Sequence, residues 1–427
     1  MKKSYIFFCF ILFPLFVFTQ DINYARHVID TLTSKGMSGR GYVDKGETVA
    51  ANFIKNEFSK YKLANFDGNY FQSFYLSINT LPGKLSVKLD EQSLIPGEDF
   101  LVTSSSVKTK GTFKIIWFNK KIVSKKNGIK KFVQNDLSDR IIILDNRGIK
   151  DKKELELFTA LKYQNVFKAK GVVTLVDSNL TWGLSDGRKK SGFVSLDILR
   201  NKFPKKTKEI TLDIENKYII NYETQNVVGF VKGKTKLDSF LVFTAHYDHL
   251  GRMGKETYFP GANDNASGTA MILNLAKHFS VPENQSDFSI VFIAFSGEEV
   301  ALLGSKYFTE HPLFPLSNIK FLVNLDMVGT GSEGIKVVNA TVFTKQYKSL
   351  VKINDECKYL KRIAERGECN FSDHYFFYKN NVPSFFIYTF GKEHDFYHDI
   401  NDKAEILPLT EYEDLFKLLV QFTKTFN

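Results

Sequence analysis

The sequence predicts an α/β protein with a mostly parallel central sheet flanked by helices and an inserted β-rich α/β domain. Three observations predict it. Beyond residue 225, long apolar runs alternate with helical patterns, as strands buried on both faces and joined by crossover helices do. Between 80 and 222 the texture changes to short β-rich runs separated by Lys, Asn and Gly loops. Each long run in the last 200 residues is followed by acids or histidines, at the strand end where open α/β sheets hold their ligands. At 427 residues the chain is roughly two to three times an ordinary domain and has material for more than one core.

Taken in order, residues 1–20 read as a secretory signal. Lys2 and Lys3 precede an apolar run from Tyr5 to Phe18, and polar chain resumes at Asp21, which places the product outside the cytoplasm, secreted or in the cell envelope. The rival, an uncleaved anchor, is weakened by Pro14 and by the shortness of the run; no other stretch is long and apolar enough to span a membrane. Residues 21–79 look helical, with Val28, Ile29 and Leu32, then Val49, Ala50, Phe53, Ile54 and Phe58, repeating at three and four around a break from Gly36 to Gly46. Within 80–222 the strand candidates are Thr112–Phe118, Arg140–Leu144 and Gly171–Val176, with a helix near Leu155–Lys168. In 223–427 they are Phe240–Ala245, Phe288–Phe295, Lys320–Leu325 and Ser384–Phe390, with helices over Thr269–Phe279 and from about Val300.

The net charge is +11, or +9 once Lys2 and Lys3 are removed. The excess is thinly spread. Pairs such as Lys120-Lys121, Lys125-Lys126, Lys130-Lys131, Lys189-Lys190 and Lys205-Lys206 lack the interleaved aromatics of a strand-binding platform, so they read as solvated loops and nucleic acid is excluded as a partner. Cys357 and Cys369 remain after export. They can pair in an oxidising compartment or sit as small buried hydrophobes.

The chemistry lies at the strand ends. After Phe240–Ala245 come His246 and Asp248. Residues two apart in extended chain face one way, so the Asp248 carboxylate can accept the spare imidazole N–H of His246. Asp264 stands in the glycine-flanked loop Gly261–Gly268, placed to approach and bridge two cations. Following Phe288–Phe295, Glu298 and Glu299 diverge, so that one can bind metal while the other handles protons. Asp326 ends the next strand, and His398 lies four residues before Asp402, which is placed to orient it. Two imidazoles and three carboxylates without sulfur suit zinc, with manganese or cobalt as substitutes.

These separated motifs, His246-Tyr247-Asp248, Asp264, Glu298-Glu299, Asp326 and His398, resemble the dizinc aminopeptidase family, whose relatives include glutamate carboxypeptidases and glutaminyl cyclases. The resemblance spans 226–427. It implies a zinc exopeptidase fold and two zinc ions: His246 and Asp326 on one, Glu299 and His398 on the other, Asp264 bridging and Glu298 as general base on a peptide substrate. Ser372-Asp373-His374 and Phe377 resemble a family motif near the substrate pocket, which would make Asp373 and His374 substrate-binding. Residues 80–222, with Ala169–Val173, look like the protease-associated domain that such enzymes insert. Ser38-Gly39-Arg40 resembles the N-terminal part of the catalytic domain, so that domain would be interrupted by the insert.

Plainer readings compete at several positions. His27, His278 and His311 have no motif around them and read as surface or packing residues. His249 and His394 rival His398; the four-residue spacing of His394 and His398 imitates a helical metal pair, but no Glu follows His394. Gly183-Leu184-Ser185-Asp186-Gly187 fits the serine-hydrolase elbow, yet a polar loop precedes it and Arg188-Lys189-Lys190 follows, where a strand and a helix are required. Carboxypeptidases of the glutamate-releasing type share every ligand and glutaminyl cyclases keep these positions, so residues alone leave both open; non-catalytic binding relatives have lost metal ligands, and retention of all six key residues argues against that class.

Overall fold

The computed structural model describes residues 21–185 and 191–426. The expected signal segment, 1–20, lies outside them. The larger unit is built on an eight-stranded sheet whose strands are, in chain order, β1 (Phe71–Thr80), β2 (Lys217–Val231), β3 (Lys236–His246), β4 (Phe288–Phe295), β5 (Ile319–Leu325), β6 (Ile335–Val338), β7 (Ile363–Glu365) and β8 (Ser384–Thr389). Their order in space is 1-2-4-3-5-8-6-7. The central four, β4, β3, β5 and β8, are parallel. β1 and β2 close one side antiparallel, and β6 and β7 close the other.

Burial on both faces explains why the central strands are so apolar: all eight residues of β4 are buried. On one face Leu241, Phe243, Phe292 and Val323 pack under α1 (Ile22–Thr33), α2 (Gly46–Lys60), α3 (Gly268–Phe279) and α7 (Tyr412–Lys424). On the other face Val242, Val291 and Leu322 meet Phe308 of α4 (Leu303–Glu310) and Phe377 of α6 (His374–Lys379). α5 (Thr344–Cys357) supplies Leu350 to the first layer. α4 starts three residues later than the sequence suggests because Ala301 and Leu302 are left-handed, so the chain turns once before it can coil.

The second unit has its own eight-stranded sheet, in which Thr109–Asn119, Arg140–Asp145, Gly171–Val176 and Val194–Leu199 run parallel side by side. Its longest helix spans Lys152–Gln164, started by the Asp151 side chain accepting from Glu154 N–H, and two short ones cover Lys120–Val123 and Gly128–Phe132. The division at 222 falls inside β2. Lys217 pairs with Thr80 and Tyr222 with Leu76, so the chain that leaves the larger sheet and the chain that returns are zipped together, and the second unit runs from 81 to 216. That stretch of β2 carries Lys217, Asn221 and Glu223 at exposed positions, and its short apolar group of Tyr218, Ile219 and Ile220 is not buried. The second core continues into the first through Leu250, Met253 and Phe259.

Cys357 and Cys369 are free, the first exposed and the second half-buried, so neither the disulfide nor the buried-hydrophobe reading describes them. Among the described residues no helix is long and apolar enough to cross a membrane.

Candidate active site

The carboxyl ends of β3, β4 and β5 lie level, with His246 paired to Phe295 across β3 and β4. His246 closes β3, Glu298 and Glu299 follow β4, and Asp326 follows β5. Gly261–Gly268 and the His394–Asp402 loop fold over these ends. All five expected ligands meet there. Asp264 Oδ1 lies 3.3 Å from His246 Nε2, and Asp264 Oδ2 lies 3.2 Å from His398 Nε2. Asp326 Oδ1 is 3.4 Å from His246 Nε2, and Glu299 Oε2 is 3.2 Å from His398 Nε2. His246, Asp264 and Asp326 thus form one group able to hold an ion, and Asp264 and Glu299 belong to a second. His249 is a candidate nitrogen for the second group, with Nδ1 2.7 Å from Glu299 Oε1. His398 faces the adjoining cavity, whereas His249 is wholly buried.

The supports differ from the sequence expectation in three places. His246 Nδ1 is 3.1 Å from the backbone oxygen of Asp248, whose carboxylate stands 3.8 Å away. That carboxylate instead accepts from the Glu298 N–H at 3.2 Å and from the Tyr42 hydroxyl at 3.1 Å, so Asp248 sets the turn that carries Glu298. Asp402 does not reach His398. It bonds His394 at 2.7 Å and accepts the N–H groups of Asn263 and Asp264, pinning the bridging loop. His398 is oriented from the second unit, its Nδ1 donating to the Trp182 carbonyl at 2.7 Å while Trp182 N–H donates back to the His398 carbonyl at 3.1 Å. Asp373 and His374 are fully buried and do not line the cavity. Their neighbour Ser372 does act at the site, donating to Asp326 Oδ2 at 2.6 Å.

Arg40, in the helix break from Gly36 to Gly46, holds the strand-end loops together. Its buried guanidinium donates to the carbonyls of Tyr247, Leu32, Pro260, Gly261 and Asp264. A lone Arg between glycines gives no periodic signal, and the resemblance around Ser38–Arg40 was the one available hint. His249 and Trp182 were missed as supports because each depends on a contact across the fold. Ser185 of the elbow-like motif lies in a loop, and its buried hydroxyl has no hydrogen-bond partner among the described residues; Asp186 and Gly187 fall outside them.

The site is electrostatically negative. Burial disfavours the His398 imidazolium, yet Glu299 and Asp264 raise its pKa to about 11. Burial acts against ionised Glu299, but His398 and His249 pull its pKa down to about 2. Glu298 is pushed well above the usual carboxylate range by burial and by the neighbouring charges of Glu299, Asp326 and Asp373. Such a cluster attracts cations, whether protons or metal ions. Above it opens a cavity of about 450 Å³ with His246, Asp264, Glu298, Asp326 and His398 on its floor and Met327, Arg366, Phe371, Phe386, Tyr388 and Tyr397 around it.

A mixed α/β fold with paired nitrogen–oxygen ligand groups at its strand ends is the arrangement that the sequence resemblance implies. Residues 226–423, the segment that carries every candidate ligand, match the model of Peptidase family M28. Aminopeptidase YwaD of Bacillus subtilis (strain 168) is 42% identical over 131 residues, covering 30% of this chain and 26% of that protein. A probable zinc metalloprotease of Pyricularia oryzae is 37% identical over 115 residues, covering 26% and 22%. The chain thus spans about a quarter of the length of these curated relatives. Among solved structures, BSAP, a zinc aminopeptidase from Bacillus subtilis, superposes with TM-score 0.69 at 21% identity over 96% of this chain and 95% of its own. An aminopeptidase from Aneurinibacillus sp. strain AM-1 gives 0.64 at 19% identity, over 95% and 93%. The fold is shared across both units.

Proposed function

We propose that the protein is an exported dizinc aminopeptidase, removing N-terminal residues from peptides. One observation carries the reading: the two oxygens of Asp264 face two separate imidazoles, His246 and His398, each of which has a second carboxylate, Asp326 or Glu299, within 3.4 Å. The donor atoms are nitrogen and oxygen at mutual distances that fit metal ions, and their chemistry suits zinc. His246 and Asp326 would hold one ion and Glu299 and His398 the other, with Asp264 shared. When bound, the pair supplies Lewis-acid polarisation of the scissile carbonyl and an acidified water. Glu298, on the cavity floor and braced by Asp248, would take the proton from that water and return it to the leaving amine. Ser372, Asp402 and the Trp182 carbonyl hold Asp326, the Asp264 loop and His398 in place. The insert, 81–216, is read as protease-associated-like from its position and β-rich texture.

Arg366 favours a second reading. Its guanidinium lines the cavity, stacked against Phe371 and bonded to the Tyr388 hydroxyl at 2.8 Å, and a cation there suits a substrate carboxylate, as a carboxypeptidase would need. Hydrolysis of aminoacyl-anilides beside N-blocked peptides separates the two: an aminopeptidase fails on every blocked substrate, and cleavage of the blocked set with release of a C-terminal residue would sink our reading. Formation of pyroglutamate without free amino acid would point to cyclase chemistry instead. Metal analysis should give two zinc per chain.

A further inference from the structure

Three of the lysines that look scattered in sequence converge in the second unit. Lys120, Lys121 and Lys205 line one cleft of about 610 Å³ together with Trp117, Asn119, Asp145, Arg147 and Gly148. The cleft lies at the carboxyl ends of Thr109–Asn119 and Arg140–Asp145, two adjacent parallel strands, the position at which open α/β sheets accept ligands. Four cations face a single carboxylate. Asp145 is already engaged, held by Arg147 at 2.7 Å and by the largely buried Arg200 at 2.6 Å. Lys120, Lys121 and Lys205 form no ion pair among the described residues, so their charge is uncompensated from within the fold. Trp117 is half-buried, braced edge-on by Phe203 at 5.5 Å, and offers the cleft an apolar wall.

We propose that this cleft binds an acidic peptide segment through two or more separated carboxylates. Separate ammonium groups on flexible stems meet separate carboxylates well, and the Trp117 ring can cover the aliphatic part of a Glu or Asp side chain. Compact phosphate fits worse. Phosphate sites are cradled by backbone N–H groups and by a free bidentate arginine, whereas the one arginine here is spent on Asp145, whose own carboxylate faces the ligand. The cleft is distinct from the metal-binding cavity, with no residue in common, and the proposal stands whether or not that cavity hydrolyses peptides.

The test is calorimetric titration of the full-length, zinc-loaded protein with acetyl-triglutamate amide, whose two blocked ends protect it from exopeptidases, beside acetyl-triglutamine amide and pyrophosphate. The glutamate peptide should bind, at least about tenfold more weakly when salt is raised from about 0.05 to 0.5 M, since the attraction is between solvated charges. The double variant Lys121→Glu, Lys205→Glu should weaken it at least tenfold while leaving turnover of a neutral substrate unchanged. Trp117 is one of two tryptophans, so binding should alter emission in the native protein and not in Trp117→Phe, which preserves the apolar wall. Equal binding of the glutamine peptide, preference for pyrophosphate, or an unaltered affinity in the double variant would each overturn the proposal.

Discussion

Arg40→Met removes a cation that no water replaces. The guanidinium is 0% exposed and spends its donors on five carbonyls, those of Tyr247, Leu32, Pro260, Gly261 and Asp264. Losing a buried acceptor's partner costs about 1 kcal/mol or more, so five acceptors set a cost near 5 kcal/mol, part of which the apolar methionine offsets; the expected net loss is about 3–5 kcal/mol. Charge adds to this, because burial lowers the Arg40 pKa to about 10 even though Asp264, Asp402, Asp248 and Glu299 all favour the cation. Arg40→Lys restores the charge but only three donors, and should lose about half as much. Urea unfolding of both variants, with zinc and after chelation, measures the difference. The loss should be larger after chelation, when Arg40 is the main cation facing those acids. A methionine variant within about 1 kcal/mol of the native protein in both states would refute the claim that Arg40 organises the site.

Further outcomes follow from the same geometry. Glu298→Gln should lower kcat by about 10²–10⁴ while zinc content stays at two per chain; full activity would remove Glu298 from the proton transfer. Asp264→Ala should bring zinc content below two and abolish hydrolysis, because both ion groups lose a ligand, and metal analysis after dialysis reads this directly. Chelation should inactivate the enzyme reversibly, and a serine-directed phosphonate should have no effect. His278, half-buried against Phe279 and Phe416 and accepting from the Asn284 amide at 3.3 Å, has its pKa lowered to about 4, loss of solvent around the ring being the main cause. The unfolded imidazole, with pKa near 6.5, then binds the proton more readily than the folded one, so this group's stabilisation is complete above about pH 7 and is lost as pH falls toward 4, by about 2–3 kcal/mol. His278→Gln should flatten the denaturation midpoint across that window relative to native protein; parallel curves would contradict the assignment.

The catalytic half of the fold was legible because its central strands are buried on both faces and must be continuously apolar: β4 has the boundaries its sequence suggests, and β5 begins one residue earlier. The ligands were legible because each stands just past such a run. What escaped was settled at a distance. β1 and the first half of β2 are exposed along part of one face and mix polar with apolar residues, Tyr75 and Ile220 among the exposed ones, so no continuous buried run marks them. The partner of His398 is a main-chain oxygen more than 200 residues away, and no residue type announces a carbonyl. Asp402 follows His398 by four residues and was assigned to it by proximity, whereas the loop geometry delivers it to His394. The three lysines and Trp117 lie apart in sequence, and only the parallel strands Thr109–Asn119 and Arg140–Asp145 bring them to one edge.

The zipped pair β1–β2 gives the inserted unit a stem instead of two loose tethers, and the exchange of hydrogen bonds between Trp182 and His398 gives it a second anchorage at the reaction centre. A body fastened at two points does not swing freely. Excising 81–216 and rejoining the ends would leave every candidate ligand in the polypeptide yet free the imidazole of His398 to spin and to change tautomer. The His398 position is therefore complete only when the insert is present, and truncations designed from ligand positions alone would leave that imidazole without its partner.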